Sequence, residues 1–471
     1  MSIWLDITTT LAWGRPALGI VRVEAETLRH FLGIEDHPVR LCRFERESSS
    51  YYEVSREEAL AALARLDAGG HAKSAQPAAA VALPKSAVPP TEPLEVRLER
   101  WGRKTIARLP GRYQLQARHW ALQCRSIVRK FSSPQPQIGE SVQSAATAAA
   151  RTHHKSASPF GKGDTYISLG IDWDQKDLSV LYTLKKSLEL KVILFCHDII
   201  PILMPEYCVP GVPEKFPSYF ADVAWCADLI LCNSECSRND LLDYLHSVGA
   251  PVPALGTVRL GGDIPASATQ LPSAEIADLL NERYILFVST IEARKNHKVL
   301  YQAYKRLLSA GHKDLPKLIF VGMQGWGVDQ LIQDLEEPSI QSHILRLQNV
   351  SDSDLAHLYR HCLFTTYPSL YEGWGIPVAE SLAYGRFCLA SDAASIPEVG
   401  GNLIEYLSPQ DENAWAERIA WYIKNPQAVE SRQEIIRSDY RPVRWSDTGA
   451  AIFQSAVAVR SSASQSTAHL A

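Results

Sequence analysis

Two glutamates eight residues apart, Glu372 and Glu380, stand in a stretch whose neighbours leave the backbone open: Gly373 and Gly375 lie between them, with Pro377 after. Glycine has no side chain, so amide N–H groups there approach a ligand closely. Pro377 suits the first turn of a helix, and a helix N-terminus favours an anion. A carboxylate accepts two hydrogen bonds from a vicinal diol, each worth about 1.5–3 kcal/mol because the acceptor is charged. The combination suits a phosphate flanked by hydroxyl groups. Taken alone, the same two residues also read as a solvated loop carboxylate and a helix residue facing the positive end of its dipole.

Other groups stand where an α/β chain places chemistry. Arg294 and Lys295 precede a helix in the run Thr290-Ile291-Glu292-Ala293-Arg294-Lys295-Asn296-His297. Arginine offers a planar fork of donors and lysine a compact charge, and together they suit a diphosphate. The plain alternative is a solvated basic loop. His197 and Asp198 follow the apolar run Lys191–Cys196, and parallel sheets hold their ligands at the C-terminal ends of strands. Arg22 follows the turn Trp13–Gly19. It faces phosphate or pairs with Glu24 or Glu26, and the sequence does not choose.

The elements that must position these residues alternate. Ser2–Ile7, Val39–Phe44, Thr165–Leu169, Lys191–Cys196, Leu229–Cys232 and Thr257–Leu260 read as strands of a first unit. Helical periodicity falls between them over 20–31, 176–188 and 213–226, and Ser234 is a plausible N-cap for a further helix. Tyr284–Ser289, Lys317–Gly322, His343–Leu347, Leu363–Tyr367 and Ile404–Leu407 repeat the rhythm in a second unit. A helix over 412–423 and a last one over 446–459 follow, then a tail expected to be disordered. This alternation predicts two doubly wound α/β sheets. The G-x-G-x-x-G spacing is absent, which argues against a dinucleotide-dependent oxidoreductase.

With 471 residues, 46% hydrophobic and 21% charged, the chain can bury more than one core. A net charge of -4 gives no case for a nucleic-acid partner. Nine cysteines, an odd number scattered through apolar stretches, read as reduced and buried. The first residues lack a basic and apolar leader, and no apolar run approaches the roughly 18 residues of a spanning helix, so a cytoplasmic protein is expected. Residues 55–160 read as a partly disordered insertion, with Ala, Pro, Ser and Lys dominating from Ala59 to Pro93. Within it, Arg97–Lys130 carries ten Lys or Arg against one acid, Glu99, with aromatics at helical spacing. Such a helix lies on an anionic membrane surface or covers part of the protein's own core, and its periodicity serves both.

Glu372-Gly373-Trp374-Gly375-Ile376-Pro377 with Glu380, then Gly385, Ser391 and Ile396-Pro397-Glu398-Val399-Gly400-Gly401, resembles the E-x7-E region of family-4 (group 1) glycosyltransferases. The run from Thr290 resembles the family's G-T-x-E-P-R-K-N, with Ser289 in place of its usual glycine and Ala293 in place of its proline. His197-Asp198-Ile199-Ile200-Pro201 and Pro205-Glu206-Tyr207 are similar to a run in one branch of the family, as is Gly19-Ile20-Val21-Arg22-Val23-Glu24. The resemblance implies a GT-B fold, two Rossmann-like domains facing across a cleft. A first, acceptor-side domain would cover 1–262, a nucleotide-sugar-binding domain 270–440, and a C-terminal helix and tail 441–471. It implies a retaining hexosyltransferase of cell-surface polysaccharide assembly, with GDP-mannose the first choice of donor and a UDP-hexose the second. The acceptor would be a saccharide or polyprenyl-linked oligosaccharide, and no metal would be needed. Peripheral membrane contact would run through residues 97–131. Glu380 would hold the ribose, Glu372 a sugar hydroxyl, and Arg294 with Lys295 the diphosphate. Backbone N–H groups at Gly373, Trp374 and Gly375, with Ile376 beside them, would orient the sugar, and His197 would reach it from the other domain. Gly19, Arg22 and Asp198 would line the acceptor or phosphate side. A non-catalytic sugar-binding or scaffolding subunit is the reading held against this one.

Overall fold

The computed structural model describes residues 1–67, 158–264, 271–312 and 314–468, with 461–468 by backbone alone. The basic segment 97–131 lies outside the described residues.

The first sheet is built from Ile3–Asp6 (β1), Val39–Glu45 (β2), Ser50–Val54 (β3), Thr165–Ser168 (β4), Lys191–Cys196 (β5), Leu229–Cys232 (β6) and Ala254–Thr257 (β7). Their order is β3-β2-β1-β4-β5-β6-β7, parallel throughout except that β3 runs antiparallel to β2. Every residue of β1 and β4 is buried, as expected of central strands covered on both faces. Strand order reverses between β1 and β4, so their C-terminal ends open a crevice. Ile20–Leu32 (α1) enters from Gly19, whose φ of +51° lies in the region that favours glycine.

Three boundaries in this unit differ from the sequence reading. The seventh strand is Ala254–Thr257, not Thr257–Leu260. Val258, whose N still donates to Cys232 O at 2.8 Å, and Leu260 lie beyond the strand and pack in the core around Trp445. β3 carries no apolar run long enough to flag it. Arg56–Asp67 (α2), within the stretch read as insertion, is an ordered helix with Ala59, Ala62, Leu63 and Leu66 buried. It starts on a capping box, with the Ser55 hydroxyl accepting from Glu58 N and Glu58 Oε2 accepting from Ser55 N, each at 3.1 Å. Glu235–Ser247 (α3) follows β6 and is capped by Ser234, whose hydroxyl accepts from Ser237 N at 2.9 Å.

The second sheet contains Tyr284–Val288 (β8), Lys317–Val321 (β9), Ile344–Leu347 (β10), Thr365–Tyr367 (β11), Cys388–Ser391 (β12) and Glu405–Leu407 (β13). It is parallel, in the order β10-β9-β8-β11-β12-β13, with its reversal between β8 and β11. Asp352–His361 (α4) precedes β11, Ile376–Ala383 (α5) follows it, and Ile396–Gly400 (α6) follows β12. Two apolar clusters cover the faces of each sheet.

The chain crosses between the units twice. It leaves the first through Gly261 and Gly262 and returns in Trp445–Ala468 (α7), which packs on α1. The crossings lie side by side: Gly262 N donates to Val443 O at 3.0 Å, and a Cβ on Gly261 would meet Trp445 N at 2.5 Å. The backbone of α7 is helical to Ala468, where the sequence suggested an unstructured tail from Ser461. Among the described residues no helix is long and apolar enough to cross a membrane.

Candidate functional site

The loops leaving β8 and β11 meet at the reversal point of the second sheet. Ala293–Lys295 forms a short 3-10 turn, and Asn296, with a left-handed φ of +59°, ties it down by donating to Pro368 O at 3.1 Å and Pro409 O at 2.8 Å. Glu372 sits between the two cations that the turn carries. Lys295 Nζ is 2.6 and 2.8 Å from its two oxygens, and Arg294 Nη1 is 3.0 Å from Oε2. Arg294 also donates to Tyr371 O at 2.5 Å and pairs with Glu292 at 2.8 Å. Burial opposes the Glu372 charge, but the two cations outweigh it and hold the carboxyl at about 2. Burial likewise pulls the Lys295 ammonium below its ordinary range, with Glu372 opposing. The Ser395 hydroxyl bridges the carbonyls of Glu372 and Trp374, at 2.9 Å each, and so fixes the loop.

The first unit closes on this loop. A Cβ on Gly373 would lie 2.2 Å from the His197 carbonyl oxygen and 3.1 Å from Asn233 Nδ2, so glycine is what lets the two backbones touch. Ser237 Oγ lies 3.3 Å from Gly373 O and 3.4 Å from His197 O. His197 Nε2–H donates to Leu169 O at 2.8 Å, which leaves Nδ1 as the acceptor. Burial pulls this imidazole down to about 4, so it is neutral at pH 7. Asp198 accepts from Ile200 N at 3.0 Å, and burial raises its pKa against the opposing pull of Arg294. Trp374 is buried in the cluster around Leu5, Ile7 and Phe195, with Ile376 packed against it, so it joins the two units. Among the described residues its indole N–H has no hydrogen-bond partner. Gly375 takes a φ of +110° at the N-cap of α5.

Glu380 is satisfied on both oxygens. Tyr359 Oη donates to Oε2 at 2.9 Å, and Arg22 Nη1 approaches Oε1 at 3.3 Å. Arg22 Nη2 also holds Asp352 Oδ2 at 2.6 Å. This corrects the choice left open by the sequence: Arg22 crosses to the second unit rather than pairing with Glu24 or Glu26. Glu24 points inward and accepts from Thr10 N at 2.6 Å. Burial raises the Glu380 pKa, with Arg22 and Tyr359 opposing.

The structure therefore brings Glu372, Arg294, Lys295, Gly373, Trp374, His197 and Asp198 together, with Gly375, Ile376, Glu380 and Arg22 along the same interface, while Gly19 is exposed at the start of α1 with nothing within 4 Å of where a Cβ would stand. Ser289 turns its hydroxyl to the Thr290 carbonyl at 2.9 Å. Sequence reasoning gave no role to Asp352, Tyr359, Ser395, Asn233 or Glu398. Glu398, in α6, accepts from Glu235 N at 2.8 Å and Cys236 N at 2.7 Å at the start of α3. Its place in the Ile396-Pro397-Glu398 run was a signal, whereas nothing near Asp352 or Tyr359 marks their partners. Two fixed cations, two buried carboxylates and the backbone N–H groups of the glycine-bearing loop at one sheet edge have the chemistry to hold a diphosphate flanked by diols. Among the described residues no cluster of three or more His, Cys, Asp or Glu could hold a metal ion.

Residues 274–441 match the model of the family described as Glycosyl transferases group 1. The chain is 32% identical over 237 residues to the O-antigen chain mannosyltransferase B of Escherichia coli, covering 50% of this chain and 61% of that protein. It is 31% identical over 244 residues to the serotype-specific mannosyltransferase WbdA of Escherichia coli, covering 49% of this chain and 30% of that protein. The chain thus spans less than two thirds of the curated relatives it matches. The crystal structure of α,α-trehalose 6-phosphate synthase from Burkholderia multivorans is similar at a TM-score of 0.49 and 15% identity, over 65% of this chain and 72% of that one.

Proposed function

We propose that this chain, a group 1 glycosyltransferase domain over residues 274–441, transfers mannose from GDP-mannose with retention to a saccharide or polyprenyl-linked oligosaccharide of a cell-surface polysaccharide. The observation that carries this reading is the meeting of Arg294, Lys295 and Glu372 at the reversal point of the second sheet, against His197 of the first unit. The names of the relatives, both mannosyltransferases, support the choice of sugar.

In this reading Arg294 and Lys295 hold the diphosphate, Glu372 a sugar hydroxyl and Glu380 the ribose. As the bond from the anomeric carbon to the phosphate oxygen breaks, negative charge grows on the diphosphate. Fixed cations stabilise that charge more in the transition state than in the bound donor. The acceptor oxygen bonds to the same face of the anomeric carbon, and its proton passes to the departing phosphate. His197, neutral at pH 7, offers Nδ1 as an acceptor to a sugar hydroxyl rather than a charge. The two cations are the charges assigned to the leaving group, and the proposed reaction is read as one that needs no metal. An acceptor anchored on a lipid would bring the enzyme to an anionic membrane surface, the partner proposed for the basic segment 97–131.

Thermal unfolding with saturating GDP, UDP, ADP and dTDP tests this. A ligand at a hundred times its dissociation constant adds about 2.7 kcal/mol to the native state. Stabilisation by GDP alone is expected. Stabilisation by UDP alone would replace mannose with a UDP-hexose, and no shift with any of the four would favour a non-catalytic subunit.

A further inference from the structure

Arg22 belongs to α1 of the first unit, yet its charge is spent in the second. Its Nε donates to Ala17 O at 3.1 Å, which aims the guanidinium across the interface at Glu380 and Asp352. The side chains of Arg22 and Glu380 are each 5% exposed, whereas Asp352 keeps 34% of its surface. With Tyr359 on the other oxygen, each oxygen of Glu380 is engaged by one donor. A buried carboxylate left without partners is costly, so an incoming ligand must replace Arg22 rather than simply remove it. A vicinal diol can do so, because it offers two O–H donors in the space of one guanidinium edge.

We propose that Arg22 is a stand-in for the ribose of the donor: it satisfies Glu380 while the site is empty, yields it to the nucleoside, and remains on the more exposed Asp352. The inference rests on the reading of Glu380 as the ribose ligand. Arg22 lies on the first unit and both of its acid partners on the second, so the exchange gives up the 3.3 Å bridge to Glu380 while the 2.6 Å bridge to Asp352 still joins the units. The stand-in lowers the apparent affinity by the fraction of molecules in which the pair is open.

The test uses nucleosides, which carry no phosphate and so report on Glu380 without the diphosphate cations. Binding of guanosine and uridine is measured by calorimetry on the full chain and on Arg22→Gln, Arg22→Lys and Glu380→Gln. If the pair is closed in nine molecules of ten, the better nucleoside binds Arg22→Gln roughly tenfold more tightly than the unaltered protein. Arg22→Lys, which keeps a cation beside Glu380, falls between the two. Equal or weaker binding by Arg22→Gln, or no binding of either nucleoside to it, overturns the proposal. Undiminished binding by Glu380→Gln would instead defeat the ribose reading. A thermal cycle of Arg22→Gln, Glu380→Gln and the double variant without ligand shows whether the pair forms. Coupled effects are expected, and additive ones would also overturn the proposal.

Discussion

Glu372 and Glu380 are the same side chain on either side of one helix start, yet their surroundings push their protons in opposite directions. Two cations at 2.6–3.0 Å outweigh burial at Glu372, while a shared arginine at 3.3 Å does not at Glu380. Both glutamates were legible in the sequence because glycines and a proline frame them. Their partners were not, since Arg22 and Glu380 are brought together only by the packing of two units. Glu24 takes burial further: Lys176 and Thr10 pull its pKa down and Asp6 pushes it up, but burial dominates and raises it from 4.5 to about 7. Between those values the folded carboxyl keeps a proton that the unfolded chain has lost. The stability it contributes is therefore full below about 4.5 and falls as pH rises towards 7, by up to about 1.4 kcal/mol per pH unit. Glu24→Gln removes that slope. Urea unfolding at pH 5, 6 and 7 should show the variant gaining on the unaltered protein at each step, and parallel trends would place the titration elsewhere.

At the scale of elements, apolar runs ended by glycine or proline announced most strands, because a central parallel strand is buried on both faces. The capping box at Ser55 was equally visible, but the alanine-rich composition after it drew the reading towards disorder. Pro426 opens a helix to Asp439 that the sequence reading missed, although proline at the first turn is a start signal. Gly373 has a different meaning at this scale. It is the point where the loop after β11 passes the end of β5. Gly373→Ala places a methyl against the His197 carbonyl, which is backbone and cannot rotate away. The loops must part, at a cost of about 1–3 kcal/mol. A lower melting temperature together with weaker nucleotide binding is expected. Gly14→Ala, which meets nothing within 4 Å, should change neither. Equal behaviour of the two variants would remove the close approach as a constraint.

At the scale of the molecule, the units are held by contacts that reach in both directions. Arg22 reaches from the first unit to the second, and Glu398 reaches back to cap α3 of the first. Charge-assisted bonds to helix-end N–H groups are worth roughly 1.5–3 kcal/mol each, and cap removal typically costs about 1 kcal/mol. Glu398→Ala should therefore lower the melting temperature and increase the radius of gyration measured by small-angle scattering. An unchanged radius would mean that the remaining contacts hold the units closed. The return of α7 to the first sheet has a consequence for the order of synthesis. Phe31 of α1 packs edge-on against Phe453, with ring centroids 5.7 Å apart, and Ile452 and Ala456 are fully buried beside it. None of these partners exists until the ribosome has made more than four hundred further residues after Phe31. At about 5–20 residues per second that is a delay of roughly 20–80 s. Through that interval one face of the first unit stays uncovered, so the chain's first half is a natural client for a chaperone until its last helix arrives.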